Sequence, residues 1–222
     1  MVGRALAPAA QRISPEFAAG LVRQALELAI DGVGTRLPGV KATAAKRLDT
    51  AAGDVDQAIR DTIESHVRLA GAQGFLTNLG GVVTLTFTIP ANVTGLALLQ
   101  CHLVATIAHL RGYDVEDPRV RTAILTCLLG EDNLKSLMRQ GRIPTSPMAI
   151  ATAPEHDPEL AHRTAIEVTA DMLTKVSGKR IVTAVGRRTP LIGGGIGAVA
   201  DGFSTWQVGR YAERALLSRG AK

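Results

Sequence analysis

The residues best equipped for chemistry in this chain are its five histidines, two cysteines and a run of glycines near the end. His102, Thr106 and His109 share one helical face with Asp114 just beyond it, a set able to relay a proton or contribute to a metal site. His156 and His162 stand among Glu155, Asp157 and Glu159. A metal centre needs three or four ligands that converge. Neither an HExxH motif nor paired CxxC motifs occur, so these spacings point to core and capping roles, and no metal is expected. Cys101 and Cys127 both lie in apolar runs and read as small buried hydrophobes of a reducing compartment. There is no G-x-S-x-G elbow and no cysteine near a patterned histidine, so nucleophilic catalysis has no support.

The glycines of Gly195-Ile-Gly197-Ala-Val-Ala200 fit the loop that cradles a dinucleotide. That loop needs a strand before it, a helix after it, and a second strand carrying an acid about twenty residues on. Here Pro190 precedes the glycines and argues against a central strand. After Ala200 only 22 residues remain, too few for a second strand-helix unit. No cofactor is therefore expected. The same residues fit a helix-packing seam instead. Gly194, Ala198, Gly202, Thr205 and Gly209 recur at spacings of three and four, and Gly193 and Gly197 add a second small pair. Glycine in a helix costs about 0.8–1 kcal/mol relative to alanine, a cost that close backbone approach can offset. Phe203 and Trp206 lie beside the seam. Asp201, with no other acid between Asp171 and Glu213, is either a buried partner for an arginine or histidine or a solvated side chain.

The elements that must position these residues are helices. Ser14-Pro15, Asp117-Pro118, Asp157-Pro158 and Thr189-Pro190 each pair a capping side chain with a proline at the first helical position. Asp54 with Gln57 reads as a further capping box. Apolar residues recur with helical spacing after each start and place helices near 15–31, 41–51, 54–78, 92–111, 117–138, 158–177 and 190–219. Val83 to Ile89 alternates strictly, which reads as an extended connection or a short amphipathic element. At most one short strand pairing is expected.

Charge is unevenly spread. Residues 69–110 carry no Asp, Glu, Lys or Arg, whereas residues 178–222 carry eight basic and two acidic residues. The charge-free stretch invites a transmembrane reading. Its best window, 79–99, holds Pro90 and nine Gly, Thr, Pro or Asn residues, and a buried helical hairpin accounts for it better. The start of the chain, with Arg4 and Pro8 interrupting a short alanine run, lacks the apolar core of a secretion signal, so a cytoplasmic location is expected.

Four blocks resemble the EcsC family of bacterial proteins: LPGVKATAAKRL with GDVDQAI (37–59), GFLTNLGGVVTLTFTIPANV (74–93), VATIAHLRGYDVEDPRVR (104–121) and PLIGGGIGAVADGFSTWQVGRYA (190–212). Their order and spacing match over roughly residues 21–215. The resemblance implies a hydrophobic, helix-rich, membrane-associated protein, named for a component encoded beside an ABC transporter. It supplies no catalytic residues to carry over.

The expectation is thus an all-α single domain over 15–219 after a flexible stretch 1–14, with a hydrophobic central helical hairpin and a glycine-rich C-terminal helix. Its expected function is non-enzymatic: peripheral contact with an anionic membrane or lipid on the inner face of the membrane, as an accessory to a transport system. Lys179, Arg180, Arg187 and Arg188 would meet headgroups while Leu191 and Ile192 insert. The seam would be Gly193, Gly194, Gly197, Ala198, Gly202 and Gly209, and Asp201, His102 and His109 the buried polar residues. A second reading is a protein–protein adaptor with an apolar helical surface. A third is an enzyme centred on Asp201 with His102 or His109. Nucleic acid is not an expected partner, because the basic residues lack interleaved aromatics and no groove-reading motif occurs.

Overall fold

The computed structural model describes the backbone of residues 15–34, 37–79, 85–185 and 190–218, and the side chains of 19–34, 37–73, 95–175 and 199–218. Nine helices and one two-stranded ladder form its described part. In chain order they are α1 (Pro15–Asp31), β1 (Gly32–Val33), β2 (Leu37–Pro38), α2 (Val40–Thr50), α3 (Val55–Leu79), α4 (Leu85–Leu110), α5 (Pro118–Leu128), α6 (Glu131–Arg139), α7 (Pro147–Ala151), α8 (Pro158–Val185) and α9 (Pro190–Ala215).

The helix starts follow the capping chemistry. Asp54 accepts from the Gln57 backbone N–H at 2.9 Å to open α3. Asp117 accepts from the Arg119 N–H at 2.8 Å, and Pro118 supplies the first position of α5. Asp157 accepts from Glu159 and Leu160 at 2.9 and 3.0 Å, opening α8 behind Pro158. Ser146 caps α7, a one-turn helix in the stretch between α6 and α8 that carries Pro144, Pro147 and Pro154. Ser14 and Thr189, and the 1–14 segment with them, lie outside the described residues.

Two expectations need correcting. The helix expected over 117–138 is two helices, divided at Gly130, whose φ of 75° lies in the left-handed region that only glycine adopts freely. The alternating stretch before Pro90 is not extended from Leu85 onward: α4 begins there and carries Pro90 in its second turn. Proline lacks the N–H that would bond back to residue 86, so the interruption is confined to one rung, near the end of a 26-residue helix. The ladder of β1 with β2 is antiparallel, with Gly32 opposite Pro38 and Val33 opposite Leu37. Gly32 has φ +91°, and a Cβ there would overlap the Gly39 backbone nitrogen, so the tight return into α2 requires glycine.

α4 is the central element, touching α1, α2, α3, α5, α8 and α9. Every residue from Cys101 to Ala108 is buried, and a helix apolar all round belongs in a core. The absence of charge from that segment is therefore a burial signature. No helix among the described residues is long and apolar enough to cross a membrane. The most extensive interhelical contact joins α9 to α3.

Candidate functional site

On α9 the burial pattern inverts the usual one. Gly202, Thr205, Val208, Gly209 and Ala212 face inward, as does Leu216 just past the helix end. A Cβ added at Gly202 would sit 3.5 Å from the Val67 carbonyl oxygen, and one at Gly209 would sit 3.0 Å from Ile63 Cγ1 and 3.1 Å from Leu103 Cδ2. The pairing of 202 with 67 and of 209 with 63 makes α9 antiparallel to α3. Gly202, Thr205, Gly209 and Ala212 thus make most of the inner face small, and Val199, Phe203 and Trp206 are left outside. Val199, Phe203 and Trp206 are 72%, 57% and 46% exposed. Spaced by four and three, they form one stripe, in which the Phe203 and Trp206 rings stack with centroids 5.9 Å apart. Scattered surface hydrophobes are ordinary; a stacked aromatic pair in line with a third apolar side chain is the observation that calls for a partner.

The charges beside this stripe are already committed. Trp206 borders a groove of about 320 Å³ between α6, α8 and α9. There Lys175 pairs with Asp171 at 2.5 Å, Arg214 with Glu131 at 2.7 Å, and Arg210 with Glu213 at 2.6 Å. A larger cleft of about 440 Å³ between α1, α5 and α8 brings Arg23, Arg121, His156 and His162 together with Glu27. Arg23 donates to His162 Nδ1 at 3.2 Å, and Arg121 pairs with Glu116 at 2.8 Å, so its cations are engaged too. Asp117 is held below the usual carboxylate range, chiefly by its hydrogen bond with Arg119.

The polar residues expected in the core separate. His102 is buried, and both its ring nitrogens are taken: Nδ1 lies 2.9 Å from His66 Nε2, and Nε2 lies 2.8 Å from the Pro38 carbonyl oxygen. His66, on α3, is buried as well and reaches the Thr62 carbonyl through Nδ1 at 2.8 Å. The two rings meet edge to edge, with centroids 5.1 Å apart and planes 25° from parallel. Burial lowers both imidazoles. His66 falls to about 4, with the charge of His102 and then of Arg47 adding to the effect. His109 and Asp201 are part-exposed, on α4 and α9. Sequence reasoning missed His66, although it occupies the inward stripe of α3 with Ile59, Thr62, Ile63 and Ala70, where a histidine needs a partner. Burial likewise lifts both cysteine thiols far above their ordinary range, leaving them inert small hydrophobes. Among the described residues no group of three or more His, Cys, Asp or Glu is placed to hold a metal ion.

The remaining expected residues fall at the edge of what is described. Lys179, Arg180, Leu191, Ile192, Gly193, Gly194, Gly197 and Ala198 lie on helical backbone, but their side chains are outside the described residues; Arg187 and Arg188 are outside altogether.

An all-helical domain whose last helix turns small residues inward and aromatics outward is the class of protein these features define. The EcsC protein family matches residues 4–219, and the chain belongs to that family. No curated protein and no solved structure matches it.

Proposed function

We propose that this is a non-enzymatic peripheral membrane protein that docks on anionic bilayers at the inner face of the membrane through the outer face of α9. The observation that carries the reading is the exposed stripe of Val199, Phe203 and Trp206. Aromatic rings, tryptophan above all, favour the boundary between headgroups and acyl chains. The opposite face of α9 is buried against α3, so the helix offers one side to a bilayer and keeps the other in the bundle. Upstream, the sequence supplies the apolar run from Pro190 and, before it, Arg187 and Arg188 with Lys179 and Arg180. Each basic residue near an anionic surface contributes about 1 kcal/mol, so the four supply roughly 4 kcal/mol, and apolar contact supplies the remainder. A role beside an ABC-type transporter is the extension that family membership suggests.

Flotation with anionic and neutral vesicles at low and high salt tests the reading. Wild type is expected to float with anionic vesicles at low salt and to be released by high salt. A Lys179→Glu, Arg180→Glu, Arg187→Glu, Arg188→Glu variant is expected to bind at least a hundredfold more weakly, since about 2.7 kcal/mol of the four contributions corresponds to that factor. Equal flotation of the variant would remove the basic cluster from the docking surface. Failure of wild type to float with any vesicle would favour a protein partner for the stripe.

A further inference from the structure

Between β2, α3 and α4 runs an unbroken chain of three short polar contacts. The Thr62 carbonyl faces His66 Nδ1 at 2.8 Å, His66 Nε2 faces His102 Nδ1 at 2.9 Å, and His102 Nε2 faces the Pro38 carbonyl at 2.8 Å. Both ends are carbonyl oxygens, which only accept. Each contact therefore needs one proton lying within it, three in all. Two neutral imidazoles carry one N–H each, two in all. With both rings neutral, one contact must set a nitrogen lone pair against another lone pair at under 3 Å. One added proton fills all three contacts. A second added proton would place two N–H groups head to head between the rings. We propose that His66 and His102 form a buried binding site for a single proton, shared between His66 Nε2 and His102 Nδ1, and that this proton clasps β2 and the start of α2 to α3 and α4.

The three contacts ask for the one proton, and the surroundings oppose a second. From α2, Arg47 Nη2 donates to Ser65 Oγ at 2.7 Å, and Ser65 turns its hydroxyl to the Thr62 carbonyl at 2.9 Å. That guanidinium is the charged neighbour acting on the pair, and it opposes added positive charge. Also from α2, Thr43 Oγ1 lies 3.5 Å from His102 Nε2 and 3.3 Å from the Pro38 oxygen. On α4, the Thr106 hydroxyl turns back to the His102 carbonyl. Among the described residues no carboxylate acts on either ring. Burial is the largest cause lowering both imidazoles and opposes any charge on the pair. Repulsion from His102 adds to it only once His102 is charged, so a second proton is opposed more strongly than the first. Nor does the geometry suit a bridging cation: the two lone pairs point at each other across 2.9 Å, whereas a metal needs both aimed at one point roughly 2 Å from each.

The linkage has a definite sign. In the unfolded chain both histidines titrate near the ordinary value of about 6.5, so well below it the unfolded state binds two protons. The folded pair binds one. The unfolded state then holds the excess, and stability falls as pH falls below that value. The pair contributes about a tenfold rise in the unfolding constant per pH unit, against a hundredfold for a pair that stays neutral and none for a pair that accepts both.

The direct test is long-range ¹H–¹⁵N spectroscopy of the full chain, labelled in histidine, at pH 5. A His109→Gln, His156→Gln, His162→Gln variant leaves the pair as the sole histidine signals, and wild type provides the check that the pair is undisturbed. The expected result is three protonated nitrogens among the four of the pair. Two of four, or four of four, would overturn the proposal. The pH slope of unfolding, compared with a His66→Gln, His102→Gln variant if that variant folds, is expected to differ by one proton. A difference of two protons or of none would overturn it equally.

Discussion

Replacing Phe203 and Trp206 together by aspartate is expected to weaken binding to anionic vesicles more than a hundredfold while the protein remains folded. The two rings are 57% and 46% exposed, so about half of each is free to be covered. Aromatic side chains carry about 150–250 Å² of buriable surface. Roughly 100 Å² per ring at ~25 cal/mol per Å² comes to ~2.5 kcal/mol each when fully covered. A bilayer interface covers them only in part, and even half of the total exceeds 2 kcal/mol, or more than thirtyfold. Two aspartates facing anionic headgroups add repulsion that carries the loss past a hundredfold. Both residues are half exposed and neither belongs to the buried core, so the substitutions are expected to cost less stability than a core replacement. Gln24→Asp, exposed on α1, is the matched control and is expected to bind within a few-fold of wild type. Vesicle titration of the three proteins decides the matter. Equal affinity of the double variant and the control would mean that the stripe is not the contact surface.

The second large effect is structural. Gly209→Leu is expected to destabilise the fold by about 3 kcal/mol or more, the upper range for overpacking a filled site. A Cβ alone at residue 209 would already lie 3.0 and 3.3 Å from two carbons of Ile63 and 3.1 Å from Leu103 Cδ2. Ile63 is 4% exposed and Leu103 fully buried, so neither has room to withdraw, and leucine brings three further carbons. For a chain of this length about 3 kcal/mol corresponds to a fall of roughly 6–12 °C in Tm. Gly20 lies in α1 with nothing within 4 Å of an added Cβ. Gly20→Ala is therefore expected to raise stability by roughly 0.5–1 kcal/mol through helix propensity and reduced chain entropy. The opposite signs at two helical glycines separate close packing from propensity. Differential scanning calorimetry reads both, and a Gly209→Leu protein melting with wild type would show that α9 and α3 are not in close contact.

These two residues also mark how far the sequence reached. The three-and-four spacing of small residues was visible on α9, as were the Asp-Pro starts of α5 and α8, because capping and periodicity are local properties. The part of the charge-free stretch from Cys101 to Ala108 was legible as core for the same reason: a helix segment buried all round has no solvated face. What escaped depends on contacts distant in sequence or on a single dihedral angle. The break at Gly130 interrupts a continuous helical apolar pattern through one left-handed residue. The β1–β2 ladder has two residues in each strand, too few to show a period. Alternation from Val83 to Ile89 mimicked a strand, yet the backbone from Leu85 joins the long central helix. The histidine pair joins positions 36 apart, and only the packing of α3 on α4 brings them to 2.9 Å. That Phe203 and Trp206 face outward follows from the small residues taking the inner face, which spacing alone could not decide between the two sides of the helix.

Trp206 is the chain's single tryptophan, so the protein's own indole fluorescence reports on the proposed contact surface and on nothing else. In buffer the half-exposed indole is expected to emit at the long wavelengths of a solvated ring. With anionic vesicles in excess, docking through the outer face of α9 predicts a shift to shorter wavelength and strong quenching by lipids brominated near the headgroup end of the acyl chain, with weaker quenching from deeper bromines. Neutral vesicles should leave the emission unchanged. If the protein co-sediments with anionic vesicles while its emission and its quenching stay at their values in buffer, the membrane is met by another surface and the central claim fails.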